Sequence, residues 1–176
     1  RKSKAKYIMN YDFKFNFPGQ GLCDVTMTSV LGHITNLDFP QNFSWGKCPP
    51  GRLLEAPVVE TISQKEVYNN IAQEARNAQI LMIWTDCDRE GEFIGWEILQ
   101  AVRLTNTNIN SVNVWRSQFS HLERSHVLNA ARNPVRLDLK SVEEVGCRME
   151  CDLRVGASFT RLLTALFRRS NVVQSD

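Results

Sequence analysis

Several absences narrow the reading of this 176-residue chain before any motif is considered. It contains no Cys-x-x-Cys pair, and its five cysteines, Cys23, Cys48, Cys87, Cys147 and Cys151, are odd in number. Neither a disulfide framework nor a zinc ribbon is therefore indicated, and the cysteines read as unpaired thiols of an intracellular protein. No apolar run approaches the roughly 20 residues that a membrane-spanning helix needs. Charge of one sign is not in excess either: 21 Lys and Arg stand against 19 Asp and Glu, a net +2. A histone-like coat for nucleic acid would be far more basic. No Gly-rich loop ending in Gly-Lys-Ser/Thr occurs, so no phosphate cradle for a nucleoside triphosphate is visible. The first residues, Arg1-Lys-Ser-Lys-Ala-Lys6, have neither an initiator Met nor the apolar core of a signal peptide, and read as an entry point inside a longer protein. What remains is ordinary globular composition, 43% hydrophobic and 23% charged, with enough length to bury a core.

The pattern along the chain is that of an α/β protein. Val25 to Val30 favours β structure and runs into Gly32-His33, a strand leading into a turn. Asn36 to Pro57 is irregular and carries Pro40, Pro49, Pro50 and Pro57; it reads as an excursion over the surface. Ser63 to Gln79 is helix-compatible, with Ser63 as cap, Glu66 three residues on, and Ile71 and Ala75 four apart. Ile80 to Thr85 is a continuous apolar run of the length of a strand buried on both faces. Phe93 to Val102 predicts a helix with Ile94, Ile98, Ala101 and Val102 on one side. A second strand at Ser111 to Trp115 and a helix near Glu123 to Arg132 follow, ended by Asn133-Pro134. Strand, helix, strand, helix at this spacing predicts a parallel sheet with flanking helices. Leu137 to Arg169 is mostly helix-compatible.

The densest chemical feature is Asp86-Cys-Asp88-Arg-Glu90-Gly-Glu92, placed at the C-terminal end of the apolar strand, where open parallel sheets bind ligands. Four carboxylates within seven residues repel one another unless a cation or solvent screens them. Their hard oxygens suit Mg²⁺, which takes one or two protein carboxylates and keeps water and phosphate oxygens as its other ligands. The plainer reading is that acids decorate a helix N-terminus, where the dipole favours negative charge. That reading serves Glu90 and Glu92 better than the Asp-x-Asp at the strand end.

Trp84-Thr-Asp-Cys-Asp-Arg-Glu-Gly-Glu92 resembles the Toprim acidic motif of type IA DNA topoisomerases, specifically the eukaryotic topoisomerase III branch and its fungal members. Val25-Thr-Met-Thr-Ser-Val-Leu-Gly-His33 resembles the strand of that family ending in Gly-His. Trp115-Arg-Ser-Gln-Phe-Ser120 resembles its Arg-x-x-Phe-Ser segment, and Asp152-Leu-Arg-Val-Gly-Ala-Ser-Phe-Thr-Arg161 the opening of its central domain. These segments occur in the family's order. The resemblance implies a Toprim-type parallel sheet truncated at its first strand, over residues 1–122. The linker helix and mainly helical start of the central domain would occupy 123–176. It implies ATP-independent cutting and resealing of one DNA strand through a 5′-phosphotyrosyl link, with passage of another strand through the gap. Asp86, Asp88 and Glu90 match the metal-holding acids and would bind Mg²⁺; Glu92 is the weaker candidate, a helix-start or supporting acid. Two family features have no counterpart here: the first-strand glutamate, and the tyrosine in a Ser-Tyr-Gly-like context, which Tyr7, Tyr11 and Tyr68 do not match. The chain is thus expected to be an interior segment that does not cleave DNA alone. A nuclear location, single-stranded DNA, a RecQ-type helicase and an OB-fold accessory protein are implied by the resemblance only.

Other residues carry two readings each. His33 either hydrogen-bonds a phosphate, the catalytic reading that the family match favours, or is a turn histidine satisfied by backbone. Arg116 either binds a phosphate bidentately or ion-pairs with the acids. Arg154, Arg161 and Arg168 are spaced by seven, so one continuous helix aligns them, either as a stripe tracking single-stranded DNA or as a solvated face. Trp84, Trp96 and Trp115 read as core, and Trp45 is undecided between core and base stacking. His121 and His126 are five apart, not the four of a zincin helix, and are rejected as a metal pair. Another Toprim-bearing enzyme, such as a primase or nuclease, and a non-catalytic DNA-binding or assembly module are the rival functions.

Overall fold

A computed structural model of the chain describes residues 1–3, 5–109 and 113–170. The chain forms two compact units: Arg1–Thr35 with Ile62–Val145, and Asn36–Thr61 with the residues from Gly146 onward.

The first unit opens with a hairpin. β1 (Tyr11–Phe17) pairs antiparallel with β2 (Gly21–Met27), with Tyr11 opposite Met27 and Phe17 opposite Gly21. The strand expected from Val25 to Val30 therefore starts earlier and stops at Met27. Beyond it the Thr28 hydroxyl accepts a 3.0 Å bond from Asn70 Nδ2, so the chain there is committed to a side-chain network instead of the ladder. Asn70 and Asn10 are both buried and exchange reciprocal amide bonds of 3.1 and 3.0 Å. That pairing satisfies polar groups whose burial would otherwise be costly.

Helix α1 (Lys65–Glu74) begins two residues after Ser63, the expected cap. Ser63 is still extended, its N–H bonded to Ile34 O at 3.0 Å. Gln64 occupies the cap position, and its side chain donates to the carbonyls of Leu31 and His33, both at 2.7 Å. The βαβ expectation is met by β5 (Leu81–Ile83), α2 (Arg89–Arg103) and β6 (Val114–Arg116). β5 and β6 are parallel, with Leu81 opposite Val114 and Ile83 opposite Arg116. β5 is shorter than the run Ile80 to Thr85 because the carbonyls of Thr85 and Asp86 are taken by the Arg116 side chain instead of a neighbouring strand. Of the expected second strand, Ser111 and Val112 lie outside the described residues, and the pairing reaches one residue further, to Arg116.

α2 packs on this strand pair through Gly95. A Cβ there would stand 3.0 Å from Ile83 Cγ2 and 3.1 Å from Leu137 Cδ1, so only glycine permits the approach without a shift. The core comprises Ile8, Ile34, Val67, Ile71, Ile83, Leu99, Ala101, Val102, Ile109 and Val114, with Trp96, Ile98 and Leu137 packed against it. Burial of this apolar set is the main stabilising term for the unit. Trp96 thus sits where the core reading placed it. α3 (Arg124–Arg132) follows, one residue shorter at its start than expected.

The second unit corrects the reading of Asn36 to Pro57 as a surface excursion. β3 (Thr35–Asp38) and β4 (Val59–Ile62) form a two-stranded ladder, and two short 3₁₀ turns, Gln41–Phe43 and Pro50–Leu54, lie between them. Leu53 is fully buried and clusters with Phe39 and Ala56, against Phe43, Cys48, Val58 and the helical residues Leu153 and Ala157. The apolar residues of the excursion are irregularly spaced, so no period announced this core. An early segment and a late helix thus build one compact unit together. That helix, α4 (Leu139–Arg169), is continuous over 31 residues, and Gly156 does not interrupt it.

Asp138 precedes α4 and accepts from Lys140 N at 3.1 Å and Ser141 Oγ at 2.7 Å, in the manner of an N-terminal cap. The Ser141 hydroxyl first, then the backbone N–H groups, hold its carboxyl below the ordinary Asp value. A depressed carboxylate stabilises the fold fully above its unfolded value and loses that contribution as pH falls through the folded one. Asp138→Ala is therefore expected to lower the melting temperature at neutral pH. The gap to wild type should close as pH drops below the ordinary Asp range, in thermal melts followed by circular dichroism. A gap independent of pH would contradict the capping role.

Candidate active site

The acids lie where β5 ends and α2 begins. Asp88 is the N-cap of α2 in extended conformation, and its Oδ1 accepts from Gly91 N at 2.8 Å. Glu90 and Glu92 occupy the first turn of α2. The loop closes tightly: a Cβ on Gly91 would lie 1.8 Å from the carbonyl oxygen of Asp86, and Thr85 Oγ1 donates to Gly91 O at 2.6 Å. Glycine is therefore required at this position by close approach, not by a left-handed backbone. Asp86, Cys87, Asp88 and Arg89 are exposed and Glu90 is half-buried, whereas Glu92 is buried. Arg89 ion-pairs with Glu144, so it offsets charge on α4 as well as beside the acids.

Arg116 fixes this loop from beneath. It is fully buried, and its Nε donates to Glu92 Oε1 at 3.0 Å. Nη1 donates to Thr85 O at 2.8 Å and Ser117 O at 2.7 Å, and Nη2 to Asp86 O. Glu92 also accepts from Gln118 Nε2 at 3.2 Å and Asp138 N at 3.0 Å. Of the two readings of Arg116, the ion pair describes its position. The phosphate-binding reading is corrected, because its donors are turned inward and none faces solvent. Glu92 is engaged in the interior by Arg116, Gln118 and the Asp138 backbone.

His33 lies beside the motif, following Gly32 at φ 75°. Its Nε2 is 3.3 Å from Glu90 Oε2 and its Nδ1 3.3 Å from Glu97 Oε2, with the ring against Phe93 at 5.6 Å between centroids. The structure thus brings His33 and Glu90 together. Glu97 was not anticipated. It is fully buried on α2 and accepts from Ile34 N at 3.2 Å and Thr35 Oγ1 at 2.5 Å. Burial pushes its carboxyl above the ordinary Glu value, against the opposing pull of Thr35, His33 and Ile34. A signal was available: Glu97 stands on the same stripe as Ile94 and Ala101, a charged residue in an apolar face.

The remaining arginines belong to the second unit. Arg154 Nη1 donates to the carbonyls of Leu53, Leu54 and Ala56 at 3.3, 3.1 and 2.7 Å, and Nε and Nη2 to Glu150 at 2.8 and 2.6 Å. It therefore secures the end of the 3₁₀ turn, and its engagement departs from the expected phosphate stripe. Arg161 Nη1 donates to Phe43 O at 2.6 Å while the guanidinium lies 5.3 Å from the centre of the Trp45 ring. Trp45 is 57% exposed, which removes it from the core reading. Arg168 is exposed. Trp84 and Trp115 are half-buried, the former against Phe119 and the latter under Arg136 at 3.5 Å.

Among the described residues no three His, Cys, Asp or Glu stand together at metal-binding spacing. Carboxylate oxygens are the donor type that a hard cation such as Mg²⁺ would take, one or two at a time. Asp86 and Glu90 are turned outward or half-buried, and Asp88 keeps one oxygen out of its cap bond. The acids thus stand at the carboxyl end of a parallel strand, where sheets of this kind bind ligands, with the loop beneath them held by the buried pair of Arg116 and Glu92.

The Toprim domain model matches residues 3–119, and the chain belongs to the Toprim family. It is 55% identical over 175 residues, 96% of its length, to DNA topoisomerase 3 of Saccharomyces cerevisiae. It is 51% identical over 178 residues to DNA topoisomerase 3 of Candidozyma auris, and 36% identical over 172 residues to DNA topoisomerase 3-alpha of Homo sapiens. The matched region is 27%, 28% and 17% of those three proteins, so the chain spans about a quarter or less of these curated relatives.

Breaking a buried ion pair leaves one charge without a partner, at a cost of about 3–5 kcal/mol. Arg116→Ala is expected to destabilise the first unit by that order in urea unfolding, and replacing Arg116 and Glu92 together by apolar residues to cost less. Equal losses for the single and double variants would remove the ion pair from its role.

Proposed function

We propose that this chain is the Toprim part of a type IA DNA topoisomerase of the topoisomerase 3 kind. The parent enzyme relaxes or disentangles DNA through a transient single-strand break. The observation that carries the reading is the set Asp86, Asp88 and Glu90 where β5 ends and α2 begins, in a chain aligned over almost its whole length with DNA topoisomerase 3 proteins. In this reading Asp86, Asp88 and Glu90 hold Mg²⁺, which supplies positive charge to a phosphate during strand cleavage and resealing. Asp88 also starts α2, so the loop that presents the acids is itself ordered by one of them. Arg116 and Glu92 keep the loop carbonyls turned inward and leave the carboxylates outward. His33, within 3.3 Å of Glu90, stands where it can donate to a phosphate oxygen.

Arg161 with Trp45 forms the DNA-facing pair of the second unit: a cation beside an exposed indole suits a phosphate next to an unstacked base. Tyr68 is buried and Tyr7 and Tyr11 are exposed in the N-terminal segment and hairpin. None has the expected nucleophile context, and the cleaving tyrosine and first-strand glutamate are assigned to other parts of the parent protein. A nuclear setting with a RecQ-type helicase and an OB-fold partner belongs to the same reading, supported by the resemblance alone.

Asp88→Asn provides the test, because Asn caps helices as well as Asp while removing the charge. In the full-length protein with Mg²⁺, relaxation of negatively supercoiled plasmid should fall roughly a hundred-fold, with an unchanged melting temperature. Wild-type relaxation rates in this variant would overturn the assignment of the acids. The isolated chain is expected to leave the plasmid supercoiled, and relaxation by it would place the nucleophile within these residues.

A further inference from the structure

Of the five cysteines, Cys23 and Cys48 are half-buried and Cys87 is exposed in the acidic loop, whereas Cys147 and Cys151 are both exposed on α4. They stand four residues apart on a helix that continues on either side of them, so their side chains rise from one face, a single turn apart. The two thiols act on each other. The charge of Cys147 first, then desolvation and the hydrogen bond between the thiols, push the Cys151 thiol above the ordinary cysteine value. Two sulfurs that hinder one another's ionisation are relieved by one cation that replaces their protons. The nearest acids in sequence are already matched. Arg148 lies 4.0 Å from Asp152 and Arg154 2.6 Å from Glu150, each pair one helical turn apart. Among the described residues no third His, Cys, Asp or Glu joins the two sulfurs at metal-binding spacing.

The spacing decides which chemistry the pair suits. A disulfide needs Cβ atoms about 3.5–4.5 Å apart. Residues at i and i+4 of a helix keep theirs about 5–6 Å apart, so oxidation has to distort a helix that its ion pairs brace. A bridging cation spans the gap instead: with metal–sulfur bonds of about 2.3 Å it joins sulfurs as much as about 4.6 Å apart. We propose that Cys147 and Cys151 form a two-thiolate site for a soft cation of low coordination number, of the Cu(I) kind. Thiolates select soft cations, whereas the carboxylates of the acidic loop are hard donors. A structural Zn²⁺, which takes four protein ligands, is left half-satisfied by two. The step is an exchange without oxidation. Each thiol gives up its proton, two sulfur–copper bonds form, and two protons pass to solvent for each cation held. The inference owes nothing to the reading of the acidic loop.

The test uses the full-length protein, reduced and kept from oxygen, equilibrated with Cu(I) against a coloured chelator. Wild type should withdraw one equivalent of Cu(I) more than the double variant Cys147→Ser with Cys151→Ser. Each single variant should lose that whole equivalent, because one sulfur cannot bridge, and Cys23→Ser should keep it. Circular dichroism checks that the variants, altered only at exposed positions, retain their helix. A wild type that takes up no more than the double variant overturns the proposal, and so do single variants that each lose only half. A second measurement needs no variant. Alkylation by iodoacetamide, mapped by mass spectrometry, should show Cys147 and Cys151 protected together as Cu(I) is added. Undiminished alkylation of either residue at saturating Cu(I) overturns the proposal. Excess Mg²⁺ should leave the uptake unchanged, whereas displacement by Mg²⁺ would put the ion on carboxylates and overturn it equally.

Discussion

Everything at the candidate site hangs on the buried pair of Arg116 and Glu92. Its two side chains are 0% and 5% exposed, and between them they reach the end of β5, the residue after β6, the first turn of α2 and the start of α4. Two charges removed from water are costly unless their remaining hydrogen-bonding capacity is filled. Here it is filled almost entirely by main-chain groups whose strands or helices have just ended. The pair therefore does for the loop what a ladder does for a strand. The carbonyls of Thr85 and Asp86 need no further neighbour, so β5 can stop and the following carboxylates can turn outward. Stability and site geometry share one origin.

Helix-start decoration and cation binding stood as rival accounts of the acidic motif, yet the structure divides the labour between residues and even between atoms. Asp88 caps α2 with one oxygen. Glu92 is consumed by Arg116, and Glu90 faces His33. Asp86 contributes its carbonyl to the buried network and leaves its carboxylate exposed. The loop is ordered by the chain's own groups, the Arg116–Glu92 pair and the Asp88 cap. In the proposed reading, carboxylates presented on so ordered a loop would lose little freedom on taking up a cation.

The parallel unit was legible because its signals are local: an apolar run, a cluster of acids, then a helical period. The hairpin is less legible: Asp12-Phe-Lys-Phe-Asn-Phe17 alternates strictly and Pro18-Gly19 marks a turn, but this short period-two signal is weaker than the apolar run further on. The segment from Asn36 to Pro57 hides its core for a different reason. Its partners, Leu153 and Ala157, lie about a hundred residues away, and neither segment carries a period that advertises the other. Glu97 lies outside the acidic cluster, so proximity in sequence does not point to it. A lone acid within an apolar helical stripe is the more telling sign, since burial without a partner would be prohibitive.

The arginines show where spacing stops being informative. A separation of seven does align Arg154 and Arg161 on the uninterrupted helix α4, as required for a common face. Alignment says nothing about whether a face is open. Arg154 meets three carbonyls left unpaired where a 3₁₀ turn ends, and a guanidinium with five donors is suited to that task. Arg161, two turns on, uses one donor on Phe43 and lies beside an exposed indole. The same residue type on the same face thus becomes a brace in one place and a candidate contact in the next. What separates them is the neighbouring backbone: Arg154 meets carbonyls in need of donors, whereas Arg161 meets a single carbonyl and a ring. A basic stripe is therefore better counted after the internal acceptors have been assigned, and only the donors left over can be offered to a phosphate.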